Sequence, residues 1–169
     1  MVQTILLKGT EMESEEYKSK YGLKTKFRVI PECDGTYGIR NFSSRVTETE
    51  EIIYETNTLS FEDYLNCRIF ALLIMIFHNT RMLRPFYFYV DSNNIPRSLI
   101  IKNIFEEINL KKSKMNELLE NFLNDTKKEL SDKDLFFKEN ENIDDLSSNK
   151  IYKYLTLALM YHKKDIVDL

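Results

Sequence analysis

The sequence predicts an α+β fold that is mostly α: a small β-rich N-terminal part, made of one strand plus a hairpin, then a helical domain around one buried central helix. Three observations carry this expectation. Residues 23–29 and 46–56 have β-type patterning, the first alternating with a period of two. From Ser60 onward apolar residues recur at helical spacing. Glycine and proline number only 4 and 3, as expected of a mostly helical chain. The change from β-rich to helical composition falls near Thr56–Ser60, which sets the expected parts at 1–57 and 58–169.

Taken in order, Val2–Leu7 reads as a short apolar strand ending at a Gly9-Thr10 turn, which glycine makes without steric cost. Ser14–Tyr21 reads as a short helix closed by Gly22. In Leu23–Val29, Lys24, Lys26 and Arg28 fall on one face and Leu23, Thr25, Phe27 and Val29 on the other. Pro31–Gly38 is punctuation, with Asp34-Gly35 as the expected tight turn. Val46–Thr56 follows as an acidic β-type run. Antiparallel pairing would set its glutamates against the basic strand, with Lys26 and Glu50 as the pair to test.

The strongest signal is Ser60–Arg84. Ser60 and Asp63 have capping-box spacing, and Ile69–Phe77 is nine residues without a polar side chain. A helix apolar on every side needs cover on every side, yet nine residues fall far short of the ~20 that span a bilayer. The sequence therefore predicts one buried central helix ending before Pro85. Phe86–Val90 is aromatic, either a helical turn or an extended piece, and Asp91–Asn94 is a polar turn. Pro96 opens a helix to about Leu110 with a stripe of Leu99, Ile100, Ile104, Phe105 and Ile108. A helix over Ser113–Leu130 carries Met115, Leu118, Leu119, Phe122 and Leu123. Asn140–Asn149 reads as a loop, and Lys150–His162 as a last helix with Ile151, Tyr154, Leu155, Ala158, Leu159 and Met160 inward.

Composition excludes more function than it assigns. A net charge of −3 and a pI near 5.5 give no global attraction to nucleic acid or to an anionic membrane. Two cysteines without a signal peptide point to a reducing cytoplasm. Cys33 and Cys67 have no second Cys or His at ligand spacing, so no metal site is expected. No phosphate loop, dinucleotide fingerprint or nucleophile elbow is present. Lys24, Lys26 and Arg28 could hold an anion, or could simply keep an edge strand solvated.

Four stretches in order resemble the C-terminal part of cobalamin-binding-domain radical S-adenosylmethionine enzymes: 5–12 (Ile-Leu-Leu-Lys-Gly-Thr-Glu-Met), 20–31, 50–64 and, more weakly, 149–154. The first is similar to the end of that family's last barrel strand, where Leu-Leu-Pro-Gly-Thr-Glu is common; Lys8 stands in the proline position. The resemblance implies that 1–57 contains the end of a barrel plus a hairpin. It implies S-adenosylmethionine, a [4Fe–4S] cluster and cobalamin for the complete enzyme. It places Gly9, Thr10 and Glu11 near the cofactor-binding mouth of the barrel. The family's Cys-x-x-x-Cys-x-x-Cys run is absent here, so no cluster ligand and no catalytic residue is carried over. The expectation is a C-terminal accessory segment, not catalytic alone, whose partner is a cluster-bearing barrel chain. The alternative is a free-standing helical protein-interaction module without enzymatic activity.

Overall fold

The computed structural model describes residues 4–37, 44–108, 113–132 and 147–160. Mostly helical and with one small sheet, it has the α+β class expected. Contacts divide the chain into two compact units, Met1–Leu65 with Asp125–Asn149, and Asn66–Asn124 with Lys150–Leu169.

The first unit is built on an antiparallel sheet of β1 (Thr4–Ile5), β2 (Lys24–Tyr37) and β3 (Ser44–Glu55), in the order β1-β3-β2. The alternating run and the acidic run are therefore neighbours, as their patterns imply. The expected turn at Asp34-Gly35 is not there. Asp34 pairs with Thr47 and Gly35 with Val46 inside the ladder, which runs on to Tyr37 opposite Ser44. The Pro/Gly signal marks an irregularity instead. Register shifts between Val29, opposite Thr49, and Asp34, opposite Thr47. Pro31 has no N–H for a ladder, and a bulge is where a strand tolerates it. Within it Glu32 takes φ +63°, and its N–H donates to the Ser147 carbonyl at 2.8 Å.

A 3₁₀ turn, Glu11–Glu13, and helix α1 (Glu15–Tyr21) lie between β1 and β2. Ser14 caps α1, accepting from the Tyr17 N–H, and Gly22 ends it in the left-handed region at φ +61°. A Cβ on Gly22 would stand 2.0 Å from Asn57 Oδ1, so that position requires glycine for space as well as for dihedral angle. Leu6, Val29, Ile52, Ile53, Tyr64 and Leu65 are the buried apolar residues here.

Helix α2 (Phe61–Leu73) starts on the expected capping box. The Asp63 N–H donates to Ser60 Oγ at 3.1 Å, and the Ser60 N–H donates back to Asp63 Oδ2 at 3.3 Å. The single helix expected to Arg84 does not persist. Ile74–Asn79 is π-helical. The Thr80 N–H reaches the Met75 carbonyl at 3.3 Å, and the Thr80 hydroxyl takes the Ile76 carbonyl that an α-helical N–H would have used. Arg81 then turns left-handed at φ +60°, and α3 (Arg84–Ser92) begins with Pro85 in its first turn.

The second unit continues with α4 (Arg97–Ile108), α5 (Lys114–Lys128) and α6 (Lys150–Met160). Its core joins Ile69, Leu72, Leu73, Ile76 and Phe77 to residues of α4, α5 and α6. The apolar run is thus core, as its composition demands. Met115, Leu118, Leu119 and Phe122 of α5 are buried as expected. On α4 the buried stripe is Ile101 and Ile108, with Ile104 and Phe105 partly buried between them, at spacings 0, 3, 4 and 7. Leu99 falls off that stripe and is exposed. On α6 the inward set is Ile151, Tyr154 and Ala158; Leu159 and Met160, expected inside, are 50% and 75% exposed in the last turn. His162 and residues 140–146 lie outside the described residues. Among the described residues no helix is long and apolar enough to cross a membrane.

Candidate functional site

Gly9, Thr10 and Glu11 form one exposed turn just beyond β1. Gly9 sits at φ +79° with open space where a Cβ would be, so dihedral angle alone selects glycine. Its N–H donates to Glu13 Oε2 at 2.7 Å, and the Thr10 hydroxyl donates to the Leu7 carbonyl at 2.7 Å. Glu11 opens the 3₁₀ turn and offers its carbonyl to the Ser14 N–H and hydroxyl. The turn is held by its own hydrogen bonds.

The basic face of β2 is matched by carboxylates. Lys24 meets Glu55 at 2.5 Å, and this hydrogen bond raises the Lys24 pKa above its ordinary value. Arg28 meets Glu50, its register partner, with Nε donating at 2.5 Å. Lys26 stands opposite Ile52 and pairs with Asp132 at 3.2 Å, so the charge partner of Glu50 is Arg28 and not Lys26. An anion would have to displace these carboxylates, so the strand reads as an ion-paired ladder. Cys33 and Cys67 are free and exposed. Among the described residues no group of three or more His, Cys, Asp or Glu could hold a metal ion.

The pattern-based reading missed a cavity in the second unit. Its volume is about 520 Å³, and its walls come from the end of the π-helical segment, the left-handed turn, α3 and the start of α4. His78, Asn79, Arg81 and Arg84 line one stretch of chain; Tyr87, Phe88 and Arg97 complete it. No carboxylate lines it. The local folding explains how the arginines gather. The π-helical segment and the left-handed Arg81 end one helix and start the next within a few residues, at a strain cost of about 1 kcal/mol for a non-glycine residue.

Arg97 is fixed from two sides. Its Nε donates to Asp91 Oδ1 at 2.9 Å, Nη2 donates to the other carboxylate oxygen, and the guanidinium lies 5.0 Å from the Tyr87 ring centre. The hydrogen bond from Arg97 holds the Asp91 carboxyl below its ordinary value, and the same bond raises Arg97. Tyr87 is only 5% exposed, and its hydroxyl has no hydrogen-bond partner. Burial pushes that phenol up, against the opposing pull of Arg97, so it stays a protonated donor. Arg84 stacks over Phe88 at 5.9 Å, and His78 sits 5.6 Å from Tyr87, ring centre to ring centre. The only trace of this in the sequence is one histidine and three arginines within twenty positions, His78, Arg81, Arg84 and Arg97, each beside a helix boundary. Set against protein-family models and against curated protein sequences, the chain matches none.

Proposed function

We propose that this chain is a C-terminal accessory segment of a radical S-adenosylmethionine enzyme of the cobalamin-binding kind, working with a separate chain that carries the cluster. One observation supports this reading above others. The three resembling stretches, 5–12, 20–31 and 50–64, each include part of one strand, the last residue of β1, the start of β2 and the end of β3, and these strands share a single sheet. β1 is an edge strand there, and exposed Ile5 and Leu7 flank the buried Leu6. Gly9, Thr10 and Glu11 follow that edge directly and would approach the partner's barrel mouth.

The residues present do not fit the cluster. A [4Fe–4S] centre of this kind needs three thiolates, and the chain has two cysteines. No radical step is therefore assigned to these residues; the role is to cap a barrel and shape access to it. The test is co-expression with a barrel chain bearing the Cys-x-x-x-Cys-x-x-Cys run. A stable complex with iron and S-adenosylmethionine cleavage is expected, and neither property in this chain alone. Cluster binding and cleavage by the anaerobically reconstituted chain alone, or no complex with the barrel chain, would overturn the proposal.

The second reading, a helical interaction module without enzymatic activity, is favoured by Phe86, Phe88 and Tyr89 on α3 and Leu157, Leu159 and Met160 on α6, all exposed. A complex with an unrelated protein that excludes the barrel chain would favour it.

A further inference from the structure

We propose that the cavity lined by Arg81, Arg84, Tyr87 and Arg97 binds a small phosphorylated compound through its phosphate monoester group. Charge selects an anion. Three guanidiniums face one space without a lining carboxylate, and only Arg97 has a carboxylate partner, Asp91, among the described residues. That leaves Arg81 and Arg84, both exposed, as two positive charges available to a ligand. A phosphate monoester carries about −1.5 to −2 at neutral pH and three acceptor oxygens, whereas a carboxylate carries one charge and two oxygens. The guanidinium fork matches phosphate oxygens in pairs, which an ammonium group cannot do.

Further donors and the size of the space agree. The Tyr87 hydroxyl is a buried donor without a partner in the cavity wall, and such groups are uncommon unless something completes them. A volume of about 520 Å³ falls within the ~300–1,000 Å³ of small-molecule pockets. Phe88, exposed beside Arg84, gives an apolar surface for the organic part of the ligand. The chain's net charge of −3 weighs against a polyanionic strand as the occupant. This site lies in the second unit and does not rest on the radical-enzyme reading.

The experiment is isothermal titration of the full chain at low ionic strength with inorganic phosphate and with phenyl phosphate. Saturable binding of both is expected, tighter for phenyl phosphate, with benzoate about tenfold weaker or worse because it offers one charge fewer. Arg81→Gln and Arg84→Gln should each weaken phenyl phosphate by about tenfold or more, as loss of a charge-assisted pair does. Tyr87→Phe should weaken it severalfold. Lys102→Gln, an exposed cation paired to Glu106 on α4, should leave it unchanged. Far-UV circular dichroism checks each variant; where a glutamine variant unfolds, Arg84→Lys takes its place, keeping charge but losing the fork, and a loss of affinity is again expected. The proposal fails if no saturable binding is seen up to about 10 mM, where affinity is too slight to be specific. It fails if Lys102→Gln weakens binding as much as the pocket variants, or if a single-stranded DNA oligomer binds more tightly with the same arginine dependence.

Discussion

The Arg28–Glu50 pair makes a quantitative demand on the sheet. The two side chains are only 8% and 11% exposed, so the pair is not a solvent-screened surface bridge worth ~0–1 kcal/mol. Removing one partner leaves the other charge buried without compensation, which costs about 3–5 kcal/mol. Arg28→Met and Glu50→Leu should each destabilise by that amount. The double variant Arg28→Met, Glu50→Leu leaves no stranded charge and should recover to within about 1 kcal/mol of the parent, or exceed it. The coupling between the sites is therefore at least ~5 kcal/mol. Urea unfolding followed by far-UV circular dichroism reads this directly. With a slope of about 1–3 kcal/mol per molar, a loss of 3 kcal/mol moves the midpoint by roughly 1–3 M. Lys26→Gln with Glu50→Gln is the control: Lys26 is engaged by Asp132, so those effects should add within about 0.5 kcal/mol. If Arg28 and Glu50 are the additive pair and Lys26 and Glu50 the coupled one, the register assigned to β2 and β3 is wrong.

The two left-handed glycines should respond differently to alanine. Gly9→Ala meets open space and should cost about 1 kcal/mol from its dihedral angle alone, while Gly22→Ala also expels the Asn57 side chain and should cost clearly more, by thermal unfolding. Leu72→Ala, at a fully buried position of the central helix, should cost about 2–5 kcal/mol, whereas Leu99→Ala on the exposed side of α4 should stay within ~0.5 kcal/mol; equal effects would refute the assigned core. The Tyr87 phenol should ionise above the ordinary value of 10.0, and Tyr87→Phe should remove one late-ionising phenol from a phenolate absorbance titration. The raised phenol binds its proton more tightly in the folded state, so its contribution to stability is intact below the ordinary value and is lost as pH rises through the folded value.

What the sequence by itself determined was local. Ser14 with Gly22, and Ser60 with Asp63, act over three or four residues and a single turn, so the starts of α1 and α2 and the end of α1 were legible from residue type. The period of two at Leu23–Val29 and the apolar run at Ile69–Phe77 were legible because strand alternation and a place in the core imprint composition directly. Failures occurred where one residue serves two geometries. Pro31 and Gly35 read as a turn, yet β2 absorbs them with a bulge and a ladder pairing. Ser60–Arg84 read as one helix, yet the Thr80 hydroxyl takes the carbonyl that would have continued it.

Only the tertiary structure decided which charges meet and where a cavity opens. Nothing in the spacing of Lys26 and Arg28 says which of them Glu50 will face, because a bulge shifts register without changing composition. Arg81, Arg84 and Arg97 are unremarkable as a sequence pattern. They line one space because a π-helical segment, a left-handed residue and two helix starts bring them there. Local preferences act over one turn of chain and are written in neighbouring residues. A binding surface depends on how whole elements pack, and packing is settled by the sum of many contacts between residues far apart in the chain.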